Sequence, residues 1–136
     1  MSNRKTDLRS DRGQTMVEFA LVVPVLCLVI FGIIQCGILY NNYITLTDAT
    51  RVGARKAAVS RQTTDPSGPG GVAKAATIKA ASGLKTPPLT VVVTAPTGWT
   101  PGADVTVEAT YPYELKLLWF VAASGTLSSK TTERVE

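Results

Sequence analysis

The sequence predicts an α+β fold in which a long N-terminal transmembrane helix is followed by a small antiparallel sheet with one covering helix. Two patterns carry this prediction. Residues 19–40 contain no charged side chain and one strongly polar one, Gln35. A helix of that length would be about 33 Å long, enough to cross a hydrocarbon core of about 30 Å. Residues 103–111 alternate apolar and polar side chains, which is the period of a half-buried strand.

The length of 136 residues leaves room for a single small domain beside this helix. We expect a basic segment over residues 1–13 and a membrane helix with an extramembrane continuation over residues 14–59. A linker rich in Gly, Pro and Ser follows over residues 60–71, and a small α+β domain over residues 72–136.

The basic segment helps to orient the helix. Four basic residues precede the apolar run and three follow it within about 16 residues, and the first group lies closer to the membrane. We therefore expect a cytoplasmic N-terminus. A secretory signal peptide has a similar pattern, but this apolar run is longer than a usual signal core and no small-residue cleavage site follows it. We expect the helix to remain in the protein.

Two features lie inside the apolar run. Pro24 removes one backbone hydrogen bond, so a kink is expected there. Cys27 and Cys36 are nine residues apart, on opposite faces of a helix, and cannot form a disulfide within one chain.

The helix is expected to continue from residue 41 to residue 59. Ala49, Gly53 and Ala57 recur every four residues, a row of small side chains that lets another backbone approach closely. Two interpretations of this row stay open: packing against the chain's own domain, or an interface with another subunit.

In the domain, the pattern predicts a helix and strands, and leaves one apolar stretch undecided between the two. The helix is expected over residues 72–82, the strands over 89–94, 103–111 and 125–135, and the undecided stretch is 115–123. Trp99 and the cluster of residues 117–120 are expected in the core, with a contact surface as the alternative.

The composition argues against catalysis. The chain has no His, and both of its Cys lie in the apolar run, so the commonest general base and metal ligands are missing from the domain. The sequence GPGG at residues 68–71 lacks the Lys-Ser/Thr of a nucleotide-binding loop. No basic stripe with interleaved aromatic residues is present. We expect no enzymatic activity, no cofactor, no metal and no nucleic-acid partner.

Glu18 is the residue that calls for a functional explanation, because a carboxylate near a membrane helix is costly unless it is paired. One interpretation places it among the lipid headgroups at the positive end of the helix dipole. The other pairs it with a cation of another subunit, such as an α-amino group created by cleavage after Gly13.

The motifs carry a family resemblance. Gly13, then four residues, then Glu18 and Phe19 at the start of an apolar helix resembles the processing site of type IV pilins of the Flp subclass. The sequences RGQTMVEFALVVP (residues 12–24) and TRVGARKAAV (residues 50–59) are similar to the TadE-like family of tight-adherence pilus assembly, and the ending LSSKTTERVE resembles that family's C-terminus.

The resemblance implies a minor pseudopilin with a pilin-like fold in the bacterial inner membrane. Its leader would be removed by a prepilin peptidase between Gly13 and Gln14, with Glu18 as the recognition and register residue, followed by Phe19. Its domain would face the periplasm or exterior, and its partners would be the bilayer, other pilins or pseudopilins and the pilus assembly platform. The alternative is an uncleaved single-pass membrane protein whose outer domain binds a partner or a surface.

Overall fold

The computed structural model describes residues 7–84, 89–117 and 120–136, with the side chains of residues 7–12, 117 and 120 left out. Two helices and three strands follow one another in these ranges, and they confirm the predicted α+β fold. They are α1 (Asp7–Val59), α2 (Gly68–Ala80), β1 (Thr90–Thr94), β2 (Asp104–Leu117) and β3 (Phe120–Arg134).

Helix α1 is a single element of 53 residues, about 80 Å long at 1.5 Å per residue. It continues beyond the apolar run to Val59, as predicted. It is helical from Asp7 onward, so residues 7–12 of the basic segment belong to the same helix as the apolar run. Extending an existing helix adds one hydrogen bond per residue without a new nucleation cost. Residues 1–6 of the basic segment lie outside the described residues.

The surroundings of α1 change along its length. Nearly all side chains from Gly13 to Ile34 are exposed, whereas Leu46, Ala54 and Ala57 are fully buried. Of the described helices, α1 is the one long and apolar enough to cross a membrane, and the segment that meets this test lies within residues 13–59. Within the described part of the chain, the first part of α1 is therefore left largely uncovered, and the last part belongs to the domain core.

The three strands form an antiparallel sheet in the order β1-β2-β3. β2 and β3 make a long hairpin whose register runs from the pair Asp104–Arg134 to the pair Leu117–Phe120, with a shift between Leu115 and Lys116. The undecided stretch over residues 115–123 is thus strand on both sides of residues 118–119, which lie outside the described residues. β2 runs beyond the predicted end at residue 111 because β3 supplies hydrogen-bond partners along it.

The core lies between the sheet and the two helices. The alternation predicted for β2 is confirmed: Val105, Val107, Ala109 and Tyr111 are buried, and they pack in one cluster with Leu46 and other buried residues of α1. Trp99 is partly buried against the same cluster, in agreement with its predicted core position.

The predicted linker over residues 60–71 is too long, because α2 begins at Gly68 and not at residue 72. A Pro at the start of α2 favours the helical φ angle and needs no hydrogen bond there. Just before the helix, Asp65 Oδ1 accepts hydrogen bonds from the Ser67 backbone N–H at 2.8 Å and from Ser67 Oγ at 2.5 Å. These hydrogen bonds lower the pKa of Asp65, the side-chain one most.

Gly53 is a point of close contact between the two helices. A Cβ at this position would overlap Thr77 Oγ1, lie 3.1 Å from Thr77 Cβ and lie 3.4 Å from the Ala73 carbonyl oxygen. Thr77 is fully buried and its hydroxyl donates to the Ala73 carbonyl at 2.9 Å, so it has little freedom to move away. A glycine is therefore needed here for α1 and α2 to pack.

We predict that Gly53→Ala destabilises the domain by about 1–3 kcal/mol, the usual cost of overpacking a well-filled core. The measurement is thermal unfolding of the detergent-solubilised chain, followed by tryptophan fluorescence. Gly37→Ala is the matched control, since a Cβ at Gly37 meets nothing within 4 Å. The loss of stability in the double variant Gly53→Ala/Thr77→Ala should be smaller than the sum of the losses in the two single variants. An unchanged unfolding temperature for Gly53→Ala would contradict this packing.

Candidate functional site

The residues singled out at the N-terminal end of α1 lie on one exposed stretch of helix. Gly13, Gln14 and Glu18 are exposed, and Phe19 is 69% exposed. Gln14 and Glu18 are four residues apart, so they share one face, and Gln14 Nε2 donates a hydrogen bond to Glu18 Oε1 at 3.1 Å. The helix therefore brings the proposed new N-terminal residue and the carboxylate into direct contact.

Gly13 lies within the helix, and a Cβ there would meet nothing within 4 Å. Its small size is thus not required by packing inside this chain. A glycine in a helix interior lowers helix stability by about 1 kcal/mol relative to alanine. The peptide bond between Gly13 and Gln14 consequently lies at a weak and accessible point of α1.

Pro24 lies inside α1, and the helix is assigned without interruption through it. The predicted kink stays a prediction. Cys27 and Cys36 are exposed free cysteines on the apolar part of the helix. Among the residues that the structure describes, no group of three or more His, Cys, Asp or Glu side chains could hold a metal ion.

The row of small residues lies further along α1, within the domain. Ala49 and Ala57 are fully buried, and Gly53 faces α2 as described above. In this structure the row of small residues packs against the chain's own domain.

Sequence reasoning missed a contact made by Gln35. Its side-chain amide Nε2 donates to the backbone carbonyl of Lys116 at 2.8 Å, across 81 residues of sequence. The carbonyl lies where the shift between Leu115 and Lys116 disturbs the β2–β3 ladder. The signal was present in the sequence, since Gln35 is the strongly polar exception in the apolar run, but its partner could not be read from local patterns.

A second missed contact joins the middle of the hairpin to α1. Thr50 is fully buried; its Oγ1 lies 3.0 Å from Ser129 Oγ and accepts a hydrogen bond from Thr131 Oγ1 at 3.2 Å. The Thr50 hydroxyl also reaches the Thr47 carbonyl at 2.8 Å. Between this cluster and Lys116, an open cleft of about 460 Å³ separates the helix from β2, lined by Gln35 and Asn42 and by β2 residues 111–114 and 116.

These features define a class of protein: one apolar N-terminal helix that fits a single membrane crossing, joined to a small α+β domain. Residues 13–55 of the chain match the family model described as TadE-like protein, which confirms the resemblance over the segment that contains Gly13, Glu18 and the apolar run. The family points to a membrane protein associated with the tight-adherence pilus. No curated protein and no solved structure matches the chain.

We predict that Gln35→Leu loosens the end of the hairpin, because it removes the donor to the Lys116 carbonyl. A hydrogen bond that contributes about 0.5–1.5 kcal/mol to stability should, when removed, raise the amide exchange rate by a few-fold to about tenfold. The measurement is hydrogen–deuterium exchange of β2 and β3 peptides near Lys116, with the full chain in nanodiscs. Gln14→Leu replaces a glutamine far from the hairpin on the same helix and should leave this exchange unchanged. Equal exchange in both variants would show that the contact does not hold the hairpin.

Proposed function

We propose that this protein is a minor pseudopilin-like subunit that takes part in assembling a tight-adherence type IV pilus, in initiation or scaffolding, through its N-terminal helix. The observation that carries the proposal is the placement of Gly13, Gln14 and Glu18. They lie together at the exposed start of an apolar helix, within the segment that matches the TadE-like family.

The first support is the unpartnered apolar surface of α1. Large side chains such as Leu21, Ile33 and Phe19 are each more than 60% exposed. An apolar helical surface of this extent requires lipid or other helices around it. A subunit that is stored in a membrane and then transferred into a helical assembly needs a surface that both environments can cover.

The second support is the position of the proposed cleavage. A peptidase needs an extended peptide, so the helix must open around the Gly13–Gln14 bond before it can be cut. Opening is easier at a glycine, which weakens a helix, and Gly13 lies on the exposed part of α1, away from the domain core. A prepilin peptidase acting from the membrane could therefore reach the bond without disturbing the domain.

The third support is the geometry of Glu18. Cutting after Gly13 would create a positive α-amino group on Gln14, about 6 Å along the helix axis from Glu18. In the uncut chain the same face already holds the contact between Gln14 Nε2 and Glu18 Oε1. The carboxylate can then pair with the new amino group of its own chain or of a neighbouring subunit, which would set the register of neighbouring helices.

The proposed topology follows the distribution of charge. The four basic residues before Gln14 would remain on the cytoplasmic side of the inner membrane of a bacterium, and the α+β domain would lie on the periplasmic or extracellular side. The domain would contact other pilins or pseudopilins and the assembly platform there. No enzymatic role is proposed.

One observation favours the alternative of an uncleaved single-pass membrane protein with a binding domain. Helix α1 runs from Asp7 without a break across the Gly13–Gln14 bond. A retained basic segment would then form a cytoplasmic extension of the membrane helix. The mass of the membrane-extracted protein separates the two functions, since only the pseudopilin starts at Gln14.

We predict that Gly13→Leu blocks cleavage, because a bulky side chain would replace the glycine at the scissile bond. Cells with an active prepilin peptidase should accumulate the full-length chain, as measured by intact mass. Gly32→Leu is a matched control elsewhere on the same helix, where an added Cβ also meets nothing within 4 Å, and it should be processed normally. A wild-type chain that keeps residues 1–13 in such cells would rule out processing.

We predict that Glu18→Gln leaves membrane insertion intact and reduces pilus assembly at least tenfold. The amide keeps the size and polarity of the side chain but cannot pair with an α-amino group. Glu18→Ala should have the same effect. Surface pili are counted by electron microscopy, and insertion is checked by membrane fractionation.

Glu108→Gln is the control for the assembly assay, because it neutralises an exposed carboxylate on β2. It should assemble normally. Normal piliation with Glu18→Gln would show that the charge of Glu18 is not needed, even if cleavage after Gly13 takes place.

A further inference from the structure

We propose that the closed end of the β2–β3 hairpin is a second membrane contact, seated in the interface of the bilayer that α1 crosses. The hairpin end is defined as residues 115–117 of β2 and 120–123 of β3. The inference depends on α1 crossing a membrane and is independent of any role in a pilus.

Two contacts fix the direction of the hairpin along α1. Ser129 of β3 lies against Thr50, with 3.0 Å between the hydroxyl oxygens, and Lys116 of β2 accepts from Gln35 at 2.8 Å. Lys116 pairs with Val121 across the hairpin. From Ser129 to Val121 the strand covers about 26 Å, and from Thr50 to Gln35 the helix covers about 22 Å. The hairpin therefore runs beside α1 toward its N-terminus, and its closed end lies at the level of Gln35.

The position of Gln35 gives the depth of the hairpin end. Gln35 is 16 residues after Phe19, so the two are about 24 Å apart along the helix axis. The hydrocarbon core is about 30 Å thick. If Phe19 marks one edge of the core, Gln35 and the adjoining Lys116 carbonyl lie about 6 Å inside the other edge. Leu117 and Phe120, the pair that follows Lys116 and Val121 in the register, lie further toward the membrane.

Keeping the hairpin end in water would require a different and less favourable position of the helix. The hydrocarbon core would then have to begin at Gln35 and extend about 20 residues toward the N-terminus, to residue 15. Glu18 would be drawn about 4–5 Å into the hydrocarbon, where a carboxylate is costly. Seating the hairpin end in the interface avoids this cost, because the long Lys116 side chain, the one charged side chain of the hairpin end, can reach the headgroups.

The composition of the hairpin end fits lipid rather than a polar partner. No charged residue occurs between Lys116 and Lys130. Val121 is 53% exposed, and residues 122–126 are exposed as well, so the first half of β3 is largely open to the surroundings of the chain. The exposed ion pair of Lys116 and Glu114, at 3.0 Å, stands directly beside this apolar end, where headgroups would meet it. The hairpin end thus continues the lipid-facing surface of α1.

The experiment places a fluorescent probe on two valines of equal exposure. Val121 and Val92 are both 53% exposed, but Val92 pairs with Glu108, which is eight residues from Lys116 along β2, or about 26 Å. In a background with Cys27→Ala and Cys36→Ala, Val121→Cys and Val92→Cys are each labelled with an NBD fluorophore. The full chain is reconstituted into phosphatidylcholine vesicles with brominated acyl chains.

We expect the probe at Val121→Cys to emit at shorter wavelength and to be quenched at least threefold more by brominated lipid than the probe at Val92→Cys. Thr126→Cys, exposed on the same strand about 17 Å further from the membrane, should behave like Val92→Cys. Because both leaflets contain the quencher, the result does not depend on the orientation of the inserted chain.

Equal and weak quenching at Val121→Cys and Val92→Cys would overturn the proposal. So would an emission shift at Val121→Cys that disappears when the lipid-to-protein ratio is raised, because it would mean that a second copy covers the hairpin end. Circular dichroism and the unfolding temperature of each labelled variant establish that the fold is kept. If Val121→Cys does not fold, the same comparison is made with Ala122→Cys, the next exposed position.

Discussion

The arrangement of this protein depends on one helix whose first part requires an apolar environment and whose last part is packed in the domain core. Over its first part, α1 exposes large apolar side chains that water cannot solvate favourably, and over its last part it contributes small residues to a close-packed core. The change from one to the other occurs between Gln35 and Leu46. Since the helix is continuous, the position of the domain relative to the membrane is set by where along α1 the sheet is attached.

That attachment includes polar contacts as well as the apolar core. Thr50 is buried with its hydroxyl bonded to Thr47 and to β3, and Gln35 holds the Lys116 carbonyl at the other end of the hairpin. Leaving the buried Thr50 hydroxyl without a partner would cost more than such a bond contributes. Among the described residues, no buried side-chain nitrogen or oxygen atom lacks a hydrogen-bond partner. These pairs therefore select one register of the hairpin on the helix, which apolar packing alone would not specify.

The parts of this structure that could be predicted from sequence are those whose cause is local. The long uncharged run and the alternation around Val107 each act on neighbouring residues, and each led to the correct element. The extension of β2 to Leu117 depends on its partner β3, which a local pattern does not reveal. The start of α2 at Gly68 was hidden by a composition typical of linkers. In the candidate site, the helical spacing alone places Gln14 beside Glu18, whereas the partner of Gln35 is 81 residues away in sequence.

The separation of Glu18 and Gln35 joins the two proposals physically. They are 17 residues apart on one helix, about 25 Å along its axis, which is less than the thickness of a hydrocarbon core. One of these two polar positions must therefore approach the apolar phase, and for each a partner can lower the cost. Glu18 can pair with a cation, and Gln35 is hydrogen-bonded to the Lys116 carbonyl. Removal of a basic segment before Gln14 would take away charges that hold that end of the helix at its headgroups, and would supply an α-amino group in their place. The helix could then move along its axis, and the hairpin end would move with it because it is fixed to Gln35. A change at one side of the membrane would in this way alter the seating of the domain on the other.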